Sequence, residues 1–226
     1  AARWIFHLKL PFIPGCDLAG VVESVGSQVS QFQPGDEVVG IRGVSQGGTY
    51  AERIAISGRA LALKPRNLSF EETASLPVAG LTALQGLRDL GGLQPGGKVL
   101  VLGGSSGVGH FAVQVAKALH AGFVATTCGP HNVEFVRQLG ADLVIDYRQQ
   151  DILQRPERYD VILDAVATSS PWSCERIMTP EAAYVTTLPG PSVIVWNVLR
   201  RLRRQHRSAH QFFVATKGEN LQTLSK

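Results

Sequence analysis

The chain has 226 residues, of which 44% are hydrophobic and 18% charged, and its formal net charge is +4. That charged fraction lies below the roughly 25% of an average soluble domain, so intrinsic disorder is excluded and a substantial core is expected. At about 150 residues per domain the length fits one large domain or two modest ones, and no run approaches the ~18 consecutive apolar residues of a membrane span.

From Leu18 to Ile56 the chain shows short β-rich runs, Val21-Val22, Val38-Val39 and Ile54 to Ile56, separated by Pro34-Gly35-Asp36 and Gly47-Gly48. This predicts a compact β module. Pro34 and Gly35 suit the two central positions of a type II turn, the second of which needs positive φ. Ser69 followed by Glu72 reads as a capping box, opening an alanine- and leucine-rich helical stretch that passes Pro77 and ends at Leu90, before Gly91-Gly92. That stretch is expected to bridge residues 1–90 to a second domain, 91–226.

Beyond Pro95-Gly96-Gly97 strands and helices alternate. Val99 to Leu102 is continuously apolar, as expected of a strand buried on both faces, and Val108, Phe111, Ala112, Val115, Ala116 and Leu119 then recur at helical spacing. Phe123 to Thr127, Leu143 to Ile145, Val161 to Leu163 and Ala183 to Thr186 supply further strands, with Phe135, Val136 and Leu139 on an intervening helix closed by Gly140. Repeated βα units imply a doubly wound parallel sheet. Cys16, Cys128 and Cys174 show no CxxC spacing, so neither a disulfide framework nor a structural zinc site is indicated, and a reducing, intracellular compartment is expected. Both ends read as cuts through a longer protein: Ala1 is not methionine, and Leu221 to Lys226 stops within a helical pattern.

Between the first strand of the second domain and its helix lies Gly103-Gly104-Ser105-Ser106-Gly107-Val108-Gly109. Aligned to GxGxxG it gives Gly104, Ser106 and Gly109. The glycines permit a tight turn and close packing of helix on strand, while the N–H groups that open the helix face a pyrophosphate. The competing reading is a structural glycine turn, but the position between strand and amphipathic helix favours a dinucleotide. Ser106 stands where the middle glycine is usual, and its hydroxyl is able to donate a hydrogen bond there. An NAD site places an acid about 20 residues further on. Here the second strand ends Thr126-Thr127-Cys128-Gly129-Pro130-His131-Asn132, with no acid before Glu134, which favours NADPH; the alternative is a run of ordinary loop polars.

Arg200, Arg201, Arg203, Arg204 and Arg207 follow the apolar Val193 to Trp196, and no acid occurs from Ala182 to Gly218. A solvated helix end explains such a run. An anionic membrane surface is the alternative, because apolar and basic residues adjoin. Nucleic acid is disfavoured, since no aromatic residues interleave with the arginines.

Pro14 to Val22, Pro34 to Val38, Ser75 to Leu84, the glycine loop and Leu139 to Tyr147 together resemble the medium-chain dehydrogenase/reductases of the zinc-free quinone oxidoreductase branch. Phe12 to Asp17, Thr127 to Gly129, Pro171 to Ser173 and Pro189 to Ser192 are most similar to the chloroplast-envelope quinone oxidoreductase homologues and, less closely, the mitochondrial reticulon-4-interacting proteins. The resemblance implies an α/β fold: a partial GroES-like β domain followed by a Rossmann doubly wound parallel sheet, truncated at both ends. It also implies a homodimer in the cytoplasm or an organelle. Where the zinc-dependent branch has Gly-His-Glu this chain has Gly15-Cys16-Asp17, and a lone thiol cannot complete a zinc site.

The implied chemistry is hydride transfer from NADPH to an enone, alkenal or quinone. By resemblance, Thr82 approaches the nicotinamide, Ala165, Val166 and Leu188 flank it, and Thr127, Asn132 and Tyr147 bracket the adenosine 2′-phosphate. Thr82 also reads as a helix-interior threonine and Tyr147 as a strand-end aromatic. No residue qualifies as general acid or base on sequence grounds. The alternative function is a scaffold of the same fold that binds nucleotide without turnover.

Overall fold

The computed structural model describes residues 11–43, 45–188, 190–202, 206–212, 214–215 and 218–224. They fall into two units, Ala1–Leu81 with Val214–Lys226, and Thr82–Phe213.

In the first unit, β1 (Asp17–Val21), β2 (Glu37–Ile41) and β3 (Leu61–Leu63) form an antiparallel sheet in that order, with Ala19 opposite Val39 and Val39 opposite Ala62. The turn before β2 is the one the sequence predicts: Gly35 takes φ +96° and Asp36 N–H donates to the Gln33 carbonyl at 3.1 Å. The third strand is not Ile54 to Ile56, which lies outside the sheet. Pairing is set by the register Val38↔Leu63, which turns Ala62 into the core.

The expected single bridging helix is divided. Ser69 and Glu72 cap α1 (Phe70–Ala74) reciprocally at 3.1 and 2.8 Å. Pro77 opens α2 (Pro77–Leu84), as a residue without an N–H suits a first helical turn, and a wider helical turn covers Gln85–Leu90. α7 (Gly218–Leu224) buries Leu221 with Val39, Ile41, Ala62 and Leu81. That shared cluster places the division after Leu81, within α2, and groups the chain's last residues with the first unit, whereas the sequence suggests a boundary at residue 90.

The second unit is a six-stranded parallel sheet in the order β6-β5-β4-β7-β8-β9. Its elements are β4 (Lys98–Leu102), α3 (Gly107–Ala118), β5 (Phe123–Cys128), α4 (Val133–Gln138), β6 (Leu143–Asp146), β7 (Tyr159–Asp164), α5 (Pro171–Cys174), β8 (Met178–Thr186), α6 (Pro191–Leu202) and β9 (Ser208–Gln211). The short polar β9 is absent from the hydrophobic pattern because only Ala209 of it is fully buried. α3 lays Ala112, Val113, Val115 and Ala116 on the sheet, and Leu100, Ile162, Tyr184 and Trp196 belong to the main core.

Two of the five arginines are not solvated cations. Arg200 is 3% exposed, with its guanidinium carbon 4.1 Å from the centre of the Trp196 ring and its charge paired with Glu175. Arg207 donates to the Met178 and Thr179 carbonyls at 2.9 and 2.8 Å. A buried guanidinium needs a carboxylate or carbonyl partner, and the turn after α5 supplies one. Arg201 is exposed beside Ile194, Val195 and Val198, while Arg203 and Arg204 lie outside the described residues. No helix among the described residues is long and apolar enough to cross a membrane.

Candidate cofactor site

Parallel pairing brings the carboxyl ends of four strands level: Leu102 is opposite Thr127 on one side and Asp164 on the other, and Asp164 is opposite Thr186. The chain runs from β4 through β5 to β6 on one flank and restarts at β7 on the other, so the loops after β4 and β7 leave in opposite directions. Open α/β sheets bind ligands at such a switch point.

The glycine loop fills it. Gly103 takes φ +84°, its N–H donates to Thr127 Oγ1 at 3.1 Å, and the Gly104 N–H donates to the Thr127 carbonyl at 2.8 Å. A Cβ on Gly104 would overlap the side chain of Thr126, whose hydroxyl donates to the Val101 carbonyl, and a Cβ on Gly109 would overlap the Gly103 carbonyl. These two glycines let the helix start press against the strands. Gly107 is different: it is exposed, and a Cβ there would meet nothing of the protein.

Ser106 is the residue that caps α3, its Oγ accepting the Gly109 N–H at 3.0 Å while its carbonyl accepts the His110 N–H at 3.0 Å. The N–H groups of Gly107 and Val108 have no protein acceptor among the described residues. An anion at this end gains both the free donors and the positive end of the helix dipole. The half-buried Ser105 and Val108 border the open space over Gly107, where N–H donors and no acidic side chain of the loop would meet a pyrophosphate.

On the β5 side, Tyr147 N–H donates to the Cys128 carbonyl at 3.2 Å and Asn132 N–H to the Gly129 carbonyl at 3.0 Å. The Tyr147 hydroxyl lies 3.4 Å from where a Cβ on Gly129 would stand, and Tyr147 and Asn132 are both exposed. Thr127 is nearly buried, and its oxygen serves the glycine loop. Cys128 lies beneath, its thiol pushed up by burial and by the Asp146 carboxylate.

On the β7 side, Ala165 N–H donates to the Leu102 carbonyl at 3.1 Å, and Val166 stands against Gly103, where a Cβ would overlap it. Leu188, largely exposed, follows the end of β8, its N–H 3.4 Å from Thr186 Oγ1. Thr82 is nearly buried in α2. Two residues that the sequence reading passes over also belong here: Asp164, fully buried, accepts the Tyr184 hydroxyl at 2.8 Å. The only trace of them in the sequence is an acid ending an apolar strand.

Cys16 is half-buried, its thiol pushed up by burial and by Asp17. Burial drives Cys174 up to about 12. Among the described residues no group of three or more His, Cys, Asp or Glu side chains is placed to hold a metal ion.

Comparison with known proteins matches residues 2–66 to the alcohol dehydrogenase GroES-like domain and residues 107–190 to the zinc-binding dehydrogenase family. The chain is 36% identical to the chloroplast envelope quinone oxidoreductase homolog of Arabidopsis thaliana, over 96% of this chain and 68% of that protein. It is 43% identical to the chloroplastic NADPH-dependent alkenal/one oxidoreductase of the same plant, over 70% of this chain and 42% of that protein. The chain therefore spans less than half of that relative's length. The solved quinone oxidoreductase of Coxiella burnetii superposes with a TM-score of 0.84 at 32% identity, covering 96% of this chain and 68% of that one. Sequence, sheet order and these likenesses agree: the chain belongs to the quinone oxidoreductase branch of the medium-chain dehydrogenase/reductase family.

Proposed function

We propose that the protein carrying this chain transfers hydride from NADPH to the activated double bond of an enone or alkenal, or to a quinone, without a metal. The observation that carries this is the switch-point loop, where the N–H groups of Gly107 and Val108 have no acceptor among the described residues, beside a strand end that bears no carboxylate. Bound there, NADPH supplies a hydride from its nicotinamide C4. Gly107 and Val108 hold the pyrophosphate by their N–H groups, and the Ser106 hydroxyl, whose oxygen already accepts from Gly109, keeps its own proton to donate. Thr127, Asn132 and Tyr147 bracket the adenosine 2′-phosphate, with Thr127 also anchoring the glycine loop. Ala165, Val166, Leu188 and Thr82 flank the nicotinamide.

The substrate class follows from charge. Hydride addition to a simple carbonyl leaves an alkoxide that a Lewis acid must stabilise, whereas a conjugated acceptor spreads the charge over an enolate or quinol. Among the described residues Cys16 has no companion ligands with which to bind zinc. The name of the alkenal/one relative supports the same class. The reading is tested by turnover of NADPH with a panel of alkenals, alkenones and quinones before and after exhaustive chelation. Consumption that survives chelation is expected. Tight NADPH binding with no turnover on any acceptor favours the non-catalytic scaffold instead.

A homodimer and an organellar location belong to the same proposal, the latter supported by the chloroplast names of the relatives. The exposed Ile194, Val195 and Val198 beside Arg201 support peripheral contact with anionic lipid, though with fewer cations than the sequence suggests, since Arg200 and Arg207 are engaged internally.

A further inference from the structure

Asp164 closes β7 as a fully buried carboxylate that no lysine or arginine pairs among the described residues. Four donors converge on it instead. Oδ2 accepts the Tyr184 hydroxyl at 2.8 Å and the Ser169 N–H at 2.9 Å, and Oδ1 accepts the Val166 N–H at 3.2 Å and the Thr168 N–H at 3.4 Å. Three of these come from successive parts of one turn. At its apex Ala167 has φ +52°, a left-handed conformation that a residue with a Cβ adopts only when its surroundings hold it. The same turn places Val166 so close to Gly103 that no side chain fits between them.

Strain held by a buried charge, at the wall of a ligand site, is a device for fixing position. We propose that Asp164 is a positioning residue for the nucleotide: its carboxylate gathers the turn 165–169 and thereby sets Val166 against Gly103 of the glycine loop. The proposal rests on the cofactor reading above. Tyr184 is the second support, since it reaches the carboxylate from the neighbouring strand β8 rather than from the turn itself. Both carboxylate oxygens are acceptors, and each serves a different pair of donors. An amide in the same place has one acceptor oxygen, and its NH2 would face two donors, so one side of the arrangement must be released.

The test measures NADPH affinity of the folded protein, well below its thermal midpoint, for wild type, Asp164→Asn, Val166→Ala, the double variant and Tyr184→Phe. If Asp164 acts through Val166, Asp164→Asn weakens NADPH binding about tenfold, and adding Val166→Ala to it costs little more, because both changes undo one placement. Tyr184→Phe keeps three donors and gives a smaller loss in the same direction. A purely structural role predicts a lowered midpoint with wild-type affinity, or losses that multiply in the double variant; either result overturns the proposal. Should Asp164→Asn fail to fold, Tyr184→Phe decides: unchanged affinity there overturns it as well. Wild type that binds neither NADPH nor NADH overturns the cofactor reading and the proposal together, whereas wild type that binds while the variants match it overturns the proposal alone.

Discussion

Thr127 Oγ1 accepts the N–H of Gly103 at 3.1 Å, and the Thr127 carbonyl accepts the N–H of Gly104, so one residue at the end of β5 ties down both glycines leaving β4. The hydroxyl oxygen thereby serves the loop as an acceptor, a role that does not depend on the 2′-phosphate. Thr127→Val, nearly isosteric, strands the Gly103 N–H and is expected to cost about 1–3 kcal/mol of stability. NADPH and NADH affinities should fall by the same factor, and Thr127→Ser should restore both. Chemical denaturation and nucleotide titration of the two variants check this.

The loop glycines differ in what a methyl group would do. At Gly109 it meets the Gly103 carbonyl, backbone against backbone, and Gly109→Ala is expected to destabilise by about 1–3 kcal/mol. At Gly107 it meets open space, so Gly107→Ala should leave stability within about 0.5 kcal/mol of wild type while weakening NADPH binding. Thermal midpoints set beside affinities separate the two: equal affinity in wild type and Gly107→Ala would mean that the space over Gly107 holds no phosphate.

Much of this was legible from periodicity and punctuation. The run Val99 to Leu102, the helical spacing from Val108 to Leu119 and the glycine loop between them fix a strand, a turn and a helix, because each of those signals is local. The division of the bridging helix at Pro77 is also local, but its apolar pattern runs on across the break and hides it. β9 was not legible, and of α7 only the helical pattern was, not its place in the fold. β9 is too short and polar to alternate, and α7 joins the first unit through Leu221 and Leu224, whose partners lie far away in sequence. The buried Asp164 has the same character: its four donors come from a turn and a neighbouring strand, and nothing in the sequence marks them as a set. The arginine run misleads for a related reason, since composition cannot tell a cation facing water from one that faces Glu175.

That ion pair gives a stability test. Arg200 is buried, its side chain 4% exposed, while Glu175 is 41% exposed. Breaking a fully buried pair costs about 3–5 kcal/mol; partial exposure of the acid places Glu175→Gln lower, at about 1–3 kcal/mol. Arg201→Gln, on the exposed face, should stay within about 0.5 kcal/mol. Urea midpoints with unchanged slopes are the measurement, and equal effects of the two substitutions would contradict the internal role of Arg200.

Asp142 gives a pH test. Burial raises its carboxyl, but the hydrogen bonds from Lys117 Nζ and from Val124 N–H outweigh that and hold it below its ordinary value near 3.8. A depressed carboxylate contributes stability that is present above the unfolded value and is lost as pH falls through the folded one. Lys117→Met should therefore lower the thermal midpoint at neutral pH, with the gap to wild type closing as pH drops below about 4. A gap independent of pH would assign the effect of Lys117 to packing instead of charge.

The central claim is that the switch-point loop binds NADPH, and fluorescence titration of the protein with NADPH and with NADH tests it most directly. With no carboxylate between Thr126 and Asn132 to repel a 2′-phosphate, NADPH is expected to bind at least about tenfold tighter, roughly 1.4 kcal/mol. Equal affinities, or no binding of either nucleotide, would contradict the account.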